Sequence, residues 1–137
     1  RSDREGLALT WWEARLHAGP AASQRVFGAF VSDRLAGVAG VSFETRDKSR
    51  HKSLLFGMYV PESERQQGIA DQLVRAALDA ARARPGVRVM QLSVTEGNVP
   101  AQRLYEKHGF VTFGTEPLAM ALADGFASKA HMWAKLS

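Results

Sequence analysis

The sequence has no cysteine among its 137 residues. Disulfide bonds, a thiolate nucleophile and cysteine-based zinc ribbons are therefore excluded. No apolar run reaches the length of a membrane span, and the first residues lack the basic, apolar and small-residue succession of a signal peptide. We therefore expect a soluble cytoplasmic protein without a membrane partner.

A concentrated block of basic charge is also lacking. The 18 lysines and arginines outnumber the 14 acidic residues and give a formal charge of +4, but they are scattered along the chain. Scattered cations are typical of a solvated surface, so we expect no nucleic-acid partner, although a few of them could steer anionic groups. The histidines, His17, His51, His108 and His131, show neither metal-ligand spacing nor an acidic partner at a diagnostic distance. We therefore expect no metal.

The length and an apolar fraction of 45% are those of a single domain that spans residues 1–137. Thr10 and Glu13 form a capping box, which predicts a helix at 11–17. Apolar periodicity and turn residues define the other elements. They are strands at 25–31, 35–43 and 53–60, a helix at 67–83, a strand at 87–94, a short helix after Asn98, and strands at 110–115 and 128–136. The crossover through helix 67–83 predicts a parallel pair inside a mixed α/β sheet.

Polar segments are predicted to lie on the surface. In helix 67–83, Asp71, Arg75 and Asp79 follow one another at i, i+4 intervals, opposite the apolar stripe. Residues 44–52 are strongly polar and residues 116–127 connect two predicted strands, so both are predicted to be loops, the longest in the chain. Because loops on a rigid scaffold often carry specificity, these two are candidates to flank a binding cleft.

The loop that leads into helix 67–83 has the pattern of an anion site. A polar loop is followed by Gly68 and the first turn of the helix. The first N–H groups of a helix have no intrahelical partner and lie at the positive end of its dipole, so a phosphate is a natural guest. Gly68 would allow close approach because it has no Cβ. The Arg-x-x-Gly-x-Ala pattern of residues 65–70 is neither a P-loop nor a dinucleotide fingerprint. An ordinary strand-to-helix turn is the alternative.

A second motif follows the strand predicted at 87–94. Residues 98–110 read Asn-x-x-Ala-x-x-Leu-Tyr-x-x-x-Gly-Phe, from Asn98 through Tyr105 to Phe110. The two motifs together resemble the GNAT superfamily, the acetyl-CoA-dependent N-acetyltransferases, and the resemblance covers residues 25–137. It implies a twisted, mostly antiparallel sheet with a central parallel pair and flanking helices. It also implies that a strand and a helix of the superfamily are missing at the N-terminus.

The resemblance implies direct transfer of an acetyl group from acetyl-CoA to a primary amine, with no metal. It assigns the pyrophosphate loop, mainly through backbone N–H groups, to Arg65, Gln66, Gln67, Gly68, Ile69 and Ala70. It assigns the oxyanion and pantetheine contacts to the backbone of Met58, Tyr59 and Val60. Tyr105 would protonate the CoA thiolate, and Asn98 would contact pantetheine. Packing of the Tyr105 ring and simple helix capping by Asn98 are the structural alternatives.

The acceptor side is less defined. Some family members carry a carboxylate early in the strand before the phosphate loop, where this chain has Leu54 and Leu55. A side-chain base is therefore in doubt, and the candidates are Glu44, Glu96, Glu62, Glu64 and water. Segments 44–52 and 116–127 are predicted to flank the acceptor cleft.

The identity of the partners stays open at this stage. The acceptor amine belongs to a protein, a peptide or a small molecule, and a homodimer is neither required nor excluded. A non-catalytic acyl-CoA-binding or regulatory module with the same fold is the main alternative to an enzyme. A protein-interaction domain that binds no CoA is a more remote one.

Overall fold

The structure is a computed structural model that describes residues 9–15, 24–65 and 68–136, with the backbone alone for 9–15. Within these ranges the chain forms seven strands and two α-helices. In chain order they are β1 Leu9–Arg15, β2 Gln24–Val31, β3 Arg34–Phe43, β4 Lys52–Tyr59, α1 Ile69–Ala83, β5 Val89–Thr95, α2 Val99–Lys107, β6 Val111–Leu122 and β7 Gly125–Lys135. One turn of 3-10 helix, Glu62–Glu64, precedes α1.

The strands form one sheet in the order β1-β2-β3-β4-β5-β7-β6. Neighbouring strands are antiparallel except β4 and β5, which are parallel. The parallel pair arises because α1 carries the chain from the end of β4 back to the start of β5. The predicted fold class, a mixed and mostly antiparallel sheet with a central parallel pair and flanking helices, is confirmed.

Helix α1 packs across β2, β3 and β4. Its apolar stripe is buried as predicted, with Leu73 fully enclosed. Gly37 on β3 makes room for the helix, because a Cβ at this position would lie 2.9 Å from Leu73 Cδ1. The prediction that Asp71 lies on the solvent face is wrong, since this residue is buried and has partners on α2. Neither described helix combines the length and the hydropathy that crossing a bilayer requires.

The helix predicted at 11–17 is wrong over the part that the structure describes. Leu9–Arg15 forms β1, which pairs with β2 from Leu9↔Val31 to Arg15↔Arg25. The capping-box pattern was misleading, because threonine and tryptophan also suit a pleated strand and the edge of β2 offers partners along the whole segment. Residues 16 and 17 of the predicted helix lie outside the described residues.

The segment 116–127, predicted to be a long loop, is instead a hairpin. Strand β6 continues to Leu122, and a two-residue turn leads into β7 at Gly125. Strand β6 accommodates Pro117 in a bulge between the pairs Glu116↔Lys129 and Met120↔Ala127. In this bulge Leu118 has a φ of 52°. A bulge lets a strand absorb extra residues without ending the pairing.

Candidate active site

The parallel strands β4 and β5 pair only at their beginnings. Residues 52–54 pair with residues 89–91, and no later residue of either strand pairs with the other. Both strands continue, so their second halves separate towards the carboxyl ends. Unpaired strand backbone is costly unless a ligand or water bonds to it. The gap is therefore a place where an extended ligand with amide groups could be bound.

A bulge in β4 accompanies this separation. Val38 pairs with Tyr59 and Gly40 with Phe56, so β4 has one more residue than β3 in this interval. Gly57 lies in the interval and has a φ of 66°. A Cβ on Gly57 would meet nothing within 4 Å, so the glycine is needed here for its backbone conformation rather than for space. Bulges bend and twist the strand that carries them, which turns the end of β4 away from β5.

The start of α1 opens onto the same gap. Gly68 is its N-cap, with φ 79° and ψ 10°, a left-handed conformation that favours glycine. No side chain caps this end among the residues that the structure describes. The first intrahelical bond runs from Gln72 N–H to the Gly68 carbonyl, so the N–H groups of residues 69–71 have no acceptor within the helix. This end of α1 can bind an anion.

The loop before α1 is anchored by a partly buried ion pair. The Glu64 carboxylate accepts hydrogen bonds from Arg34 Nε at 2.6 Å and Arg34 Nη2 at 3.1 Å. Its side chain is 5% exposed, whereas that of Arg34 is 57% exposed. The hydrogen bond to Glu64 and the charge of its carboxylate raise the pKa of Arg34. A two-pronged bond of this kind ties the loop to the turn between β2 and β3.

Of the remaining residues of the predicted phosphate loop, the structure describes some and not others. Arg65 Nε donates to the carbonyl of Val60 at 3.0 Å, so this side chain folds back onto the end of β4. Ile69 is 1% exposed, so its part in binding would be through its backbone. Gln66 and Gln67 lie outside the described residues, and their assigned role stays a prediction.

Helix α2 follows β5 just as α1 follows β4. Asn98 is its N-cap, and the Asn98 Oδ1 accepts a hydrogen bond from the N–H of Ala101 at 3.3 Å. Pro100 lies in the first turn, where a missing N–H costs nothing. The predicted capping role of Asn98 is thus confirmed. Asn98 also lines the gap between the strands, and its contact with pantetheine stays a prediction.

Tyr105 is the only buried residue of α2. Its ring is 7% exposed and meets the ring of Phe110 edge-on at a centroid distance of 5.9 Å. Burial raises the pKa of the Tyr105 phenol above its usual value of 10. The phenol is therefore protonated at neutral pH and can donate a hydrogen bond or a proton. Packing of the ring and a role in chemistry are compatible here, because Tyr105 also borders the gap.

These elements enclose a cavity of about 820 Å³. Its size is within the range of small-molecule sites. Its walls come from the second half of β4, the start of α1, the end of β5 and the first turns of α2. The predicted site residues among its walls are Met58, Tyr59, Val60, Arg65, Gly68, Ile69, Ala70, Asn98 and Tyr105. Two motifs that are far apart in the sequence therefore meet in one site.

The candidate bases are not equally placed. Glu44 N–H bonds to Lys52 O at the start of β4. Since β4 is 8 residues long, Glu44 lies about 20 Å from the cavity end of this strand. Glu64 borders the cavity but its carboxylate is engaged by Arg34. Glu62 and Glu96 are exposed, and Glu96 directly follows β5 on the cavity side. Distance counts against Glu44 and the ion pair with Arg34 counts against Glu64, while the choice among Glu62, Glu96 and water stays a prediction.

The two segments predicted to flank the acceptor cleft lie at opposite ends of the sheet. Segment 44–52 joins the end of β3 to the start of β4, away from the cavity, so it cannot flank this cleft. The hairpin segment 116–127 is at the cavity end, since Thr95 at the end of β5 pairs with Lys129. The Thr95 hydroxyl also lies 3.5 Å from Met120 Sδ. Of these two segments, the hairpin is the one at the cavity end of the sheet, and its part in acceptor binding stays a prediction.

A charged cluster beside the cavity was missed by sequence reasoning. Asp71 accepts hydrogen bonds from His108 Nε2 at 2.8 Å and from Arg75 Nη2 at 3.4 Å, and Lys107 Nζ lies 3.1 Å away. Burial would raise the pKa of Asp71, but the bonds and charges of Lys107 and His108 outweigh burial and lower it. His131 likewise has an acidic partner in the fold, since its Nε2 lies 2.8 Å from Glu116 Oε1. No local pattern could reveal the Asp71–His108 pair, because 37 positions separate the two residues.

Metal binding has no support in the described part of the chain. There, no group of three His, Asp or Glu side chains is arranged to hold an ion. The pairs Asp71–His108 and His131–Glu116 each bring together one histidine and one carboxylate, too few for a protein metal site.

Comparison with known proteins identifies the family. Residues 2–110 match the Acetyltransferase (GNAT) family. The chain belongs to the GNAT acetyltransferase family. It is similar to YwnH of Bacillus subtilis (strain 168), provisionally named a phosphinothricin acetyltransferase, with 33% identity over 89 residues. The matched region is 64% of this GNAT chain and 53% of YwnH, so the chain spans about half the length of this curated relative.

Solved GNAT structures share the fold. A GNAT-family acetyltransferase from Streptococcus pneumoniae superposes with a TM-score of 0.77 and 28% identity, over 84% of this chain and 68% of that one. The structure of yncA from Salmonella typhimurium, described with its cofactor acetyl-CoA, superposes with a TM-score of 0.74 over 83% of this chain and 65% of that one. At 21% identity, the second likeness shows the fold alone.

Proposed function

We propose that this GNAT chain is an N-acetyltransferase that binds acetyl-CoA in the gap between β4 and β5 and transfers the acetyl group directly to a primary amine. The observation that carries the proposal is the cavity in which an uncapped helix start, an open strand edge and a buried phenol meet. Family membership supports the proposal, since acyl transfer is the activity for which the family is named.

The start of α1 fits the phosphate end of acetyl-CoA. The N–H groups of residues 69–71 have no acceptor within the helix, and the helix dipole adds positive charge at this end. Gly68 presents no Cβ to a phosphate that approaches the backbone. Arg65 lines the same cavity and adds a cation. Backbone donors and one cation are a suitable donor set for a pyrophosphate.

The open edge of β4 fits the pantetheine arm. Met58, Tyr59 and Val60 line the cavity beyond the last pair with β5. An extended chain with two amides can add to such an edge in the manner of a further strand. The side chain of Tyr59 is 58% exposed, which agrees with a role for its backbone rather than its ring. Asn98 borders the other side of the gap and offers an amide group.

Tyr105 fits the thioester end. Bound acetyl-CoA would supply a thioester whose acetyl group passes to the attacking nitrogen of the amine, with cleavage of the carbon–sulfur bond. Tyr105 would donate its phenolic proton to the departing sulfur and recover a proton from solvent. Burial keeps this phenol protonated until it is needed. Because the sequence has no cysteine, the protein has no thiol that could carry the acetyl group in between.

The acceptor would enter from the side of the β6–β7 hairpin. An amine must lose one proton before attack, and another as its bond to the acetyl group forms. We propose that water, or Glu96 directly after β5, accepts these protons. The name of YwnH makes phosphinothricin a reasonable first acceptor to test. Peptide amines are the second class, because β6 is an edge strand of the sheet and an extended peptide could pair with its free edge.

Two measurements test the proposal. Isothermal titration with acetyl-CoA should give one site per chain, and absence of heat would favour a protein-interaction domain. A free-thiol release assay across phosphinothricin, polyamines, lysine and peptides with a free N-terminus should give amine-dependent turnover. Tight acetyl-CoA binding without turnover for any amine would contradict the catalytic proposal and favour a non-catalytic acyl-CoA-binding module.

A further inference from the structure

We propose that Asp71 and His108 are positioning residues whose contact holds the end of α2, and with it Tyr105, against the phosphate-binding start of α1. This inference rests on the proposed function, because it concerns the placement of the proposed acid. Neither residue is assigned to contact the acceptor or the acetyl group.

The contact joins two elements that otherwise carry different parts of the site. Asp71 is the third residue of α1, and its N–H is the last of the three proposed to bind phosphate. His108 is the C-cap of α2. Their side chains are each 11% exposed and meet at 2.8 Å. A buried hydrogen bond between a carboxylate and an imidazole has few alternative geometries, so it fixes the distance between the two helices.

His108 is linked to Tyr105 through the backbone. The carbonyl of Tyr105 accepts the N–H of His108 at 3.0 Å and the N–H of Phe110 at 3.1 Å. Phe110 is 1% exposed, and its ring meets the ring of Tyr105. A shift of His108 away from Asp71 would therefore move the peptide that carries the Tyr105 carbonyl. The phenol would move with it.

The charge of Asp71 distinguishes a positioning role from a role in cofactor binding, because the two roles predict different effects on acetyl-CoA affinity. Lys107 and His108 approach its carboxylate from α2, and Arg75 approaches it from α1 itself. Asp71 also lines the cavity, so its negative charge lies near the proposed phosphate site. Removal of that charge should leave acetyl-CoA binding unchanged or make it tighter. If Asp71 positions Tyr105, turnover should nevertheless fall.

The experiment uses Tyr105 itself as the reporter. The sequence has 2 tyrosines, so isotopically labelled tyrosine gives two signals in the parent protein, which is the background for all variants. The signal that is lost in Tyr105→Phe belongs to Tyr105, and its titration yields the pKa of that phenol. Asp71→Asn, His108→Ala and the double variant are compared with this background. Asp79→Asn is the matched control, since Asp79 is an exposed residue of α1 whose partner, Arg82, belongs to the same helix.

In folded Asp71→Asn we expect the pKa of Tyr105 to fall towards about 10, the value of a solvated phenol. Turnover in the thiol-release assay should fall about tenfold, as for a displaced catalytic group, with no weakening of acetyl-CoA binding. The double variant should be no worse than the single ones, because they break the same contact. Asp79→Asn should resemble the background in every readout.

The proposal is overturned if folded Asp71→Asn keeps both the Tyr105 titration and the turnover of the background. It is also overturned if acetyl-CoA binding weakens in proportion to turnover, since Asp71 would then serve the cofactor. Should His108→Ala fail to fold, the isosteric Asp71→Asn variant still decides. If the parent protein turns over no amine, the proposed function fails, but the Tyr105 titration still reports whether the contact positions the phenol.

Discussion

The two described helices begin at the same edge of the sheet, yet their first turns are built in opposite ways. Helix α2 starts with Asn98, whose side chain satisfies the N–H of Ala101, and Pro100 removes another donor. Helix α1 starts with Gly68, and no described side chain caps it. A helix that satisfies its own end has little to offer an anion, whereas α1 keeps its donors available.

The difference separates two kinds of function within one cavity. At the start of α1 the backbone N–H groups are available and Gly68 has no side chain. Recognition of an anion there would depend on the backbone conformation and on the absence of a Cβ. At α2 the backbone is satisfied, and Tyr105 and Asn98 face the cavity with side-chain groups. Substitutions on α2 should therefore act by deleting a group, and substitutions at the start of α1 by adding one.

The largest effect is expected from deletion of the Tyr105 hydroxyl. Tyr105→Phe removes the proposed acid and keeps the ring that packs on Phe110, so turnover should fall by about 10²-fold or more. The loss should appear in kcat, while the Kd for acetyl-CoA and the melting temperature change little. Tyr59→Phe, at an exposed ring, is the control and should retain activity. Full turnover in folded Tyr105→Phe would leave protonation of the thiolate to water.

The next effect is expected at the start of α1. Gly68→Leu adds a side chain where the phosphates would approach and strains a residue with a φ of 79°, so acetyl-CoA binding should weaken at least about tenfold. Gly86→Leu is a matched control, because Gly86 has a similar φ of 86° and open space around it. Both variants carry backbone strain. If they bind acetyl-CoA equally well, the phosphate site is not at Gly68.

A smaller effect, on acceptor binding, is expected at the β6–β7 hairpin, which belongs to neither helix. Leu118 is 72% exposed in the bulge of β6 at the cavity end. Leu118→Ala should raise the KM of the amine found by the panel about fivefold and leave the KM for acetyl-CoA unchanged, because this exposed apolar side chain would pack against the acceptor and lies outside the proposed cofactor site between β4 and β5. Asp47→Ala, in the loop at the other end of the sheet, should change neither. Equal effects on both substrates would argue against acceptor recognition by the hairpin.

Loss of the α2 cap should mainly lower the free energy of unfolding. Asn98→Ala leaves the N–H of Ala101 without its side-chain acceptor, and the free energy of unfolding should fall by about 1 kcal/mol. Asn98→Asp keeps the cap and should retain most of that stability in a denaturant titration. If Asn98 also contacts pantetheine, acetyl-CoA binding should weaken in Asn98→Asp as well, since a carboxylate cannot donate the hydrogen bonds of an amide.

The smallest effect concerns the pH dependence of stability. Because the folded-state pKa of Asp71 is lowered, the carboxylate contributes stability above its unfolded pKa of about 3.9 and loses this contribution as the pH falls through the folded value. Thermal melts of the parent and of Asp71→Asn should therefore differ at pH 7 and converge in acid. A difference that stays constant down to acid would mean that the ionised carboxylate is not what stabilises the fold.

Two predictions that rest on local chemistry were confirmed. The periodicity of α1 and the cap at Asn98 depend on residues within a few positions of one another, and each is found where the sequence indicated. The prediction of β1 as a helix failed although its pattern was local, because the edge of β2 offered an alternative set of backbone partners. The loop predicted at 116–127 failed for a similar reason, since β7 supplies partners along β6.

The sequence by itself determined the two motifs, the order of most elements and the family, because each depends on residue types at fixed spacings along the chain. Only the tertiary structure decided which charges meet. Arg34 and Glu64 are 30 positions apart, and Asp71 and His108 are 37 apart. Such pairs are set by the way that strands and helices pack, and no spacing along the chain encodes them. The same packing brings Gly68 and Tyr105 to one cavity and places residues 44–52 at the other end of the sheet.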